Sequence, residues 1–359
     1  MIYNLKNIKA CILLLIALLL ILTEINAQNI PLGHFSVQEG LSNSFVNCLI
    51  QDRTGFIWFG TDDGLNRFDG YDVKVFRSNP NDKSSISENI IWALWEDHVG
   101  NLWIGTKSGG LNKYDPNTDR FEHWDLDSNT VGEINITYIY EDSKKYIWVG
   151  TYRNGIYRFN PLQNKFEHWQ NTAANPNVLS NNFVTSIIED QNSNIWIATF
   201  AGLDKFIHHQ TDVSFKKVLP DFNNPIWYMT KSGFFNNAIL MGTLKGLIKF
   251  EPLTQEFSQI ELPADFGSQF GNSVSSITEV EYAGEKILWA GTFGGLVRIN
   301  LTTGYKERII QSKKVDSDLL SNQIHDIILD KSGVVWIASE NGVNFYSLKH
   351  SKFNSKTPA

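Results

Sequence analysis

Side chains suited to holding a sugar recur at regular intervals in this chain. Seven two-residue sites, Asn47-Cys48, Trp92-Ala93, Thr137-Tyr138, Thr185-Ser186, Trp227-Tyr228, Ser275-Ser276 and His325-Asp326, occupy matching places and differ from copy to copy. A second variable series comprises Asp62-Asp63, Lys107-Ser108, Tyr152-Arg153-Asn154, Phe200, Leu244-Lys245, Phe293 and Glu340-Asn341. Aromatic rings stack on the C–H faces of a sugar while amides, guanidinium groups and carboxylates bond its hydroxyls, so the mixture points to recognition. The candidate ligand contacts are Trp92, Tyr138, Tyr152, Arg153, Asn154, Phe200, Trp227, Tyr228, Phe293, His325 and Asp326. Core packing of the tryptophans, with plain solvation of the loop residues, is the competing account of the same positions.

Catalytic and metal-binding patterns are scarcer. Asp125-x-Asp127-x-Asn129 opens like a calcium loop, but Thr130 replaces the turn glycine and Ile136 stands in place of the terminal acid, so it reads as a polar loop. His208-His209 has no acid or cysteine at ligand spacing and reads as surface. There is no Gly-x-Ser-x-Gly elbow, phosphate loop or dinucleotide fingerprint, and neither a cofactor nor a metal is expected. Acids distant in sequence could still converge, which keeps a glycoside hydrolase or lyase acting on polysaccharide as the alternative function.

The elements that must position these residues are written in a repeat. Trp58-Phe59-Gly60-Thr61, Trp103-Ile104-Gly105-Thr106, Trp148-Val149-Gly150-Thr151, Trp196-Ile197-Ala198-Thr199, Leu240-Met241-Gly242-Thr243, Trp289-Ala290-Gly291-Thr292 and Trp336-Ile337-Ala338-Ser339 follow one another at spacings of 45, 45, 48, 44, 49 and 47 residues. That period is the length of a four-stranded propeller blade. The expected fold is all-β, a seven-bladed propeller of four-stranded antiparallel blades in a single domain over residues 28–359, with 354–359 as a tail or linker.

Within a blade, paired apolar residues such as Val46/Leu49 and Ile91/Leu94 mark the innermost strand, and the Trp cassette is the second. Asp-x-x-Gly steps such as Asp52-Arg53-Thr54-Gly55 join the two as tight hairpins, the Asp bonding local backbone. The repeated Trp should wedge between blades, and the Gly or Ala two positions later should let backbones approach. A glycine opens the third strand in each copy, and in six of them a base follows by three: Arg67, Lys113, Arg158, Lys205, Lys249 and Arg298. Their stems are expected to lie on apolar surface with the charge in water. Gly33-His34-Phe35-Ser36-Val37 reads as an orphan outermost strand that closes the ring on blade seven, in competition with a segment starting at Phe353.

The composite of Leu41-Ser42-Asn43, Asp52, Trp58-Phe59-Gly60-Thr61 and Gly64-Leu65-Asn66-Arg67-Phe68-Asp69 resembles the two-component regulator propeller repeat, and the resemblance recurs through residues 32–353. It implies the periplasmic sensing half of a hybrid two-component regulator, a non-catalytic module that detects glycan breakdown products. It also implies a second propeller or a signalling domain as partner, in cis where the chain is part of a longer regulator. No membrane span, phosphoacceptor or ATP-binding segment follows the repeats, so this chain is not expected to be a kinase itself.

Residues 1–27 carry Lys6 and Lys9, an apolar run from Ala10 to Leu22 and a polar stretch ending at Ala27. They read as a secretory signal peptide, with an uncleaved anchor as the alternative, and imply a periplasmic or otherwise exported protein. Beyond them the only cysteine is Cys48, so no internal disulfide is available and the core must hold the fold. A net charge of −7 makes nucleic acid a poor partner. Oligosaccharide, another small ligand or a second copy of the chain in a homodimer all remain open.

Overall fold

The computed structural model describes residues 32–124, 126, 133–174, 178–208, 213–218, 224–264, 269–311 and 319–349. These residues form seven four-stranded antiparallel sheets arranged as a propeller. Blade one shows the plan: Val46–Gln51 innermost, then Ile57–Thr61, Gly64–Phe68 and Val73–Phe76. Blade seven takes its first three strands from Ile324–Leu329, Val334–Ser339 and Gly342–Ser347. Its fourth is Gly33–Phe35, paired Gly33↔Phe345, His34↔Asn344 and Phe35↔Val343, so the N-terminal strand closes the ring. Phe353 and the proposed signal peptide lie outside the described residues, as do Asp125, Asp127, Asn129 and His209.

The Trp cassette strand is buried on both faces in blade after blade, because each lies between two neighbours. Its tryptophan reaches an aromatic ring on the third strand of the next blade: Trp58 to Tyr114 at 5.0 Å, Trp148 to Phe206 at 4.9 Å and Trp196 to Phe250 at 5.0 Å. Trp336 meets Phe68 at 6.1 Å and carries the same contact across the ring closure. Edge-on ring pairs of this kind add to the area they bury. The glycine two residues on is required by close approach. A Cβ at Gly105 would stand 2.4 Å from Ile136 Cγ2, and one at Gly150 2.7 Å from Val184 Cγ1, each on the innermost strand of the next blade.

The hairpin acid does more than bond local backbone. Asp52 takes the N–H groups of Thr54, Gly55 and Phe56 on Oδ1, while Oδ2 accepts from Trp58 Nε1 at 2.8 Å. The same acid–indole bond holds Trp103, Trp148, Trp196 and Trp336. Blade five dispenses with both partners, having Leu240 at the wedge and Ser232 capping the turn. Blade six keeps Trp289 without the acid, and its buried Nε1 has no acceptor. Just beyond the residue that caps each of these turns, a backbone N–H bonds a glutamate carboxylate on the next blade's innermost strand, as from Arg53 to Glu96, Ser143 to Glu189 and Gly233 to Glu279.

The bases on the third strands follow the expected pattern only in part: Arg298, 15% exposed, is paired with Glu307 at 2.5 Å, and Arg158 departs further. Lys205 lies over Trp196 at 5.2 Å and Lys113 over Trp124 at 4.9 Å, their stems along apolar rings. Arg158 does not keep its charge in water. Its side chain is only 8% exposed, its guanidinium sits 4.5–5.2 Å from the rings of Tyr146, Trp148, Trp169 and Phe206, and its charge is met by Glu167 at 2.5 Å. The antiparallel register sets Glu167 directly opposite Arg158. A buried cation requires such a partner, and a surface-stem argument overlooks it.

Candidate functional site at the channel mouth

Every innermost strand carries a β-bulge at the same place. In blade one Val46 pairs with Thr61 and Cys48 with Gly60, leaving Asn47 as the extra residue. The corresponding residues are Trp92, Thr137, Thr185, Trp227, Ser275 and His325. A bulge bends its strand and re-aims the side chain at the kink. Repeated seven times around the axis, it turns seven side chains toward the channel. These are the first members of the variable pairs found in the sequence.

A cavity of about 300 Å³ occupies the channel. Of the candidate contacts, Trp92, Tyr138, Trp227, Tyr228, His325 and Asp326 line it. Above it a mouth of about 320 Å³ is lined by Asn47, Trp92, Thr137, Tyr152, Phe183, Thr185, Trp227 and His325. Phe200 and Phe293 join the mouth through ring contacts. The chain of rings runs Tyr152–Phe183 at 4.8 Å, Phe183–Phe200 at 5.6 Å, Phe200–Trp227 at 5.6 Å and Trp227–Phe293 at 6.3 Å, an arc over blades three to six. Tyr152 and Phe200 are 37% and 43% exposed, so one side of the arc faces water. Arg153 stacks on Tyr152 at 5.0 Å. The backbone of Asn154 is held in local structure: its N–H bonds Thr151 Oγ1 and its main-chain carbonyl meets His168 Nε2 at 2.6 Å.

Phe183, the centre of the arc, was absent from the sequence candidates. It stands one residue before the innermost strand, where its carbonyl takes the N–H of Phe200. Other blades place Phe45, Asn135, Pro225 and Ser273 there with the same bond to the following loop. The position varies between copies like the others, so extending the comparison by one residue would have found it. Phe45 likewise packs on His325 with ring centres 4.6 Å apart.

The bulge residues are tied into a belt. Thr137 Oγ1 donates to Val184 O, Thr185 Oγ1 to Ile226 O and Ser275 Oγ to Ile324 O, each at 2.5 Å, and His325 Nδ1 meets Val46 O at 2.8 Å. Each acceptor is the first residue of the next blade's innermost strand. One layer deeper, Asp326 accepts from Leu49 N at 2.8 Å across the ring closure and from Ser276 Oγ at 2.9 Å. Burial raises the Asp326 pKa, opposed by the bonds from Leu49, Ser276 and Ile327. Burial also pushes Tyr138 up to about 12, raises Tyr228 and Cys48 well above their ordinary values, and lowers His325. The thiol therefore stays protonated and lacks the thiolate character of a nucleophile. Asp326 is the only carboxylate among the described residues lining the channel. The arrangement offers ring faces, hydroxyls and an imidazole around an opening, which is the equipment of a binding site.

Comparison with known proteins agrees with this plan. The family model described as two component regulator propeller matches residues 40–63, 131–153, 178–201 and 318–341, in blades one, three, four and seven. Histidine kinase P4 of Formosa agariphila is 40% identical over 82 residues, 23% of this chain and 6% of that protein. The extracellular domain assigned to the hybrid two-component system BT3049 of B. thetaiotaomicron superposes with a TM-score of 0.74 at 24% identity, over 89% of this chain and 42% of that one. Virginiamycin B lyase from Staphylococcus aureus superposes with a TM-score of 0.63 at 13% identity, over 88% of this chain and 98% of the lyase. These superpositions speak to fold, and the chain spans less than half the length of the two signalling relatives. This chain is a seven-bladed propeller, four of whose blades match the two-component regulator propeller repeat.

Proposed function

We propose that this chain is the ligand-recognition propeller of an exported sensor, non-catalytic, with a glycan fragment seated at the channel mouth. The observation that carries the reading is the half-exposed aromatic arc from Tyr152 to Phe293, open above a channel lined by hydroxyls. Rings in that setting bind sugar faces, and a packing role alone would not leave Phe200 open to water. The names of the signalling relatives support the sensor half of the reading, and the extracellular placement of the BT3049 domain supports export. No helix among the described residues is long and apolar enough to cross a membrane. The lone channel carboxylate favours recognition over glycoside hydrolysis, which uses two acids flanking the bond.

The test is a screen of the purified protein against immobilised glycans, repeated with Phe200→Ser. Binding that is lost in the variant, with its melting temperature unchanged, supports the proposal. Cleavage of a bound glycan, or binding indifferent to Phe200, refutes it.

A further inference from the structure

The belt that ties the blades together also sets what the mouth can say to a ligand. A hydroxyl has one hydrogen to donate and two lone pairs. Thr137, Thr185 and Ser275 have each committed that hydrogen to a backbone carbonyl of the next blade. What they retain is acceptor capacity. His325 is in the same position: its Nδ1 faces a carbonyl, which can only accept, so Nδ1 carries the proton and Nε2 offers a lone pair. Burial disfavours the imidazolium that would make Nε2 a donor.

The charges of the lining point the same way. No lysine or arginine is among the described residues lining the channel or its mouth. The nearest bases lie over lining rings, Arg153 at 5.0 Å from Tyr152 and Lys107 at 6.0 Å from Trp92, without lining the opening themselves. A carboxylate or sulfate entering the mouth would shed water to face these lone pairs, with only neutral donors such as the Asn47 amide in the lining to meet it. A neutral sugar has the opposite character, since its hydroxyls donate and its C–H faces suit the arc.

We infer that the mouth admits an uncharged, hydroxyl-rich sugar end whose hydroxyls donate to Thr137, Thr185 and His325 and, in the channel beneath, to Ser275, and that it rejects carboxylated and sulfated ends. This rests on the glycan reading proposed above and adds the class of glycan to it.

The experiment titrates the purified protein by calorimetry and tryptophan fluorescence with three probe sets of matched length. These are neutral gluco-, xylo- and manno-oligosaccharides, uronate oligosaccharides from alginate and pectin, and sulfated oligosaccharides from carrageenan. A neutral probe is expected to bind, and its O-methylated form, which keeps the shape and loses the donors, to bind at least about tenfold more weakly. Ser275→Ala, which also breaks the bond to Ile324 O, should weaken the neutral probe by about five- to tenfold at a temperature where circular dichroism shows the variant folded. Phe200→Ser, at an exposed ring, reports whether a bound probe occupies the mouth. Tighter binding of a uronate or sulfated probe in a Phe200-dependent manner, or equal binding of the methylated form, overturns this inference and leaves the glycan reading standing. Failure of every saccharide to bind overturns both.

Discussion

Trp196 and Trp289 occupy the same place in neighbouring parts of the wheel and differ in one respect that can be measured. Both are fully buried, and each packs on an aromatic ring of the next blade, Phe250 at 5.0 Å and Tyr346 at 5.7 Å. Trp196 Nε1 donates to Asp190 Oδ2 at 2.8 Å, whereas Trp289 Nε1 is buried with no acceptor. Replacing either by Phe removes a similar volume. In Trp196→Phe the change also deletes a bond to a charged group, worth about 1.5–3 kcal/mol. In Trp289→Phe it relieves an unmet donor, a cost of about 1–3 kcal/mol in the parent protein. With the packing loss common to both, Trp196→Phe should be the less stable variant by roughly 2.5–6 kcal/mol. Urea unfolding followed by circular dichroism reads the gap, provided the two variants share one m-value. Equal destabilisation, or a gap in the opposite direction, would refute the claim that the hairpin acid is a wedge partner as well as a turn former.

Three further outcomes follow from the same geometry. Phe35→Ala should cost about 3–5 kcal/mol, because this one ring of the closing strand touches Phe59, Phe68 and Trp336 at 5.5, 4.8 and 6.3 Å. A melting temperature within a degree or so of the parent would show that the N-terminal strand does not hold the ring shut. Asp326→Asn should flatten the pH dependence of stability. The folded state raises this carboxyl's pKa, so it binds the proton more tightly than the unfolded chain, and its contribution to stability is lost as pH rises from the ordinary carboxylate range through the folded value. Thermal melts of parent and variant across that window should converge at the acid end and separate above it in the variant's favour; parallel curves would contradict the burial argument. Finally, Glu167→Gln should destabilise by about 1–3 kcal/mol, between the exposed and the fully buried case because Glu167 is 40% exposed, since it leaves the Arg158 charge among four rings with no counter-ion, and Arg158→Met in the same background should restore most of the loss. A Glu167→Gln protein as stable as the parent would return Arg158 to the class of exposed bases.

Much of the wheel was legible because each structural need recurs seven times. A residue that must wedge between blades, or leave room for a neighbour's Ile136 or Val184, is the same residue at a fixed spacing, and repetition exposes it. The closing strand was legible for a related reason, since Gly33–Phe35 is a fourth strand with no blade of its own in sequence order. The variable pairs were found by the converse argument and do reach the channel. What they do there was not legible. Arg158 and Lys113 occupy equivalent places in the repeat, yet one is buried among four rings and the other is partly open.

Sequence alone determined the number of blades, their length, the wedge and the face on which variation collects, because these depend on period and residue type along one chain. Tertiary structure decided the rest. A bulge is a mismatch between two strands, and the belt from Thr137, Thr185, Ser275 and His325 joins residues 41 to 279 positions apart. Only the closed ring brings those partners together, and with them it settles which hydrogen-bonding groups at the mouth are already spent and which remain for a ligand.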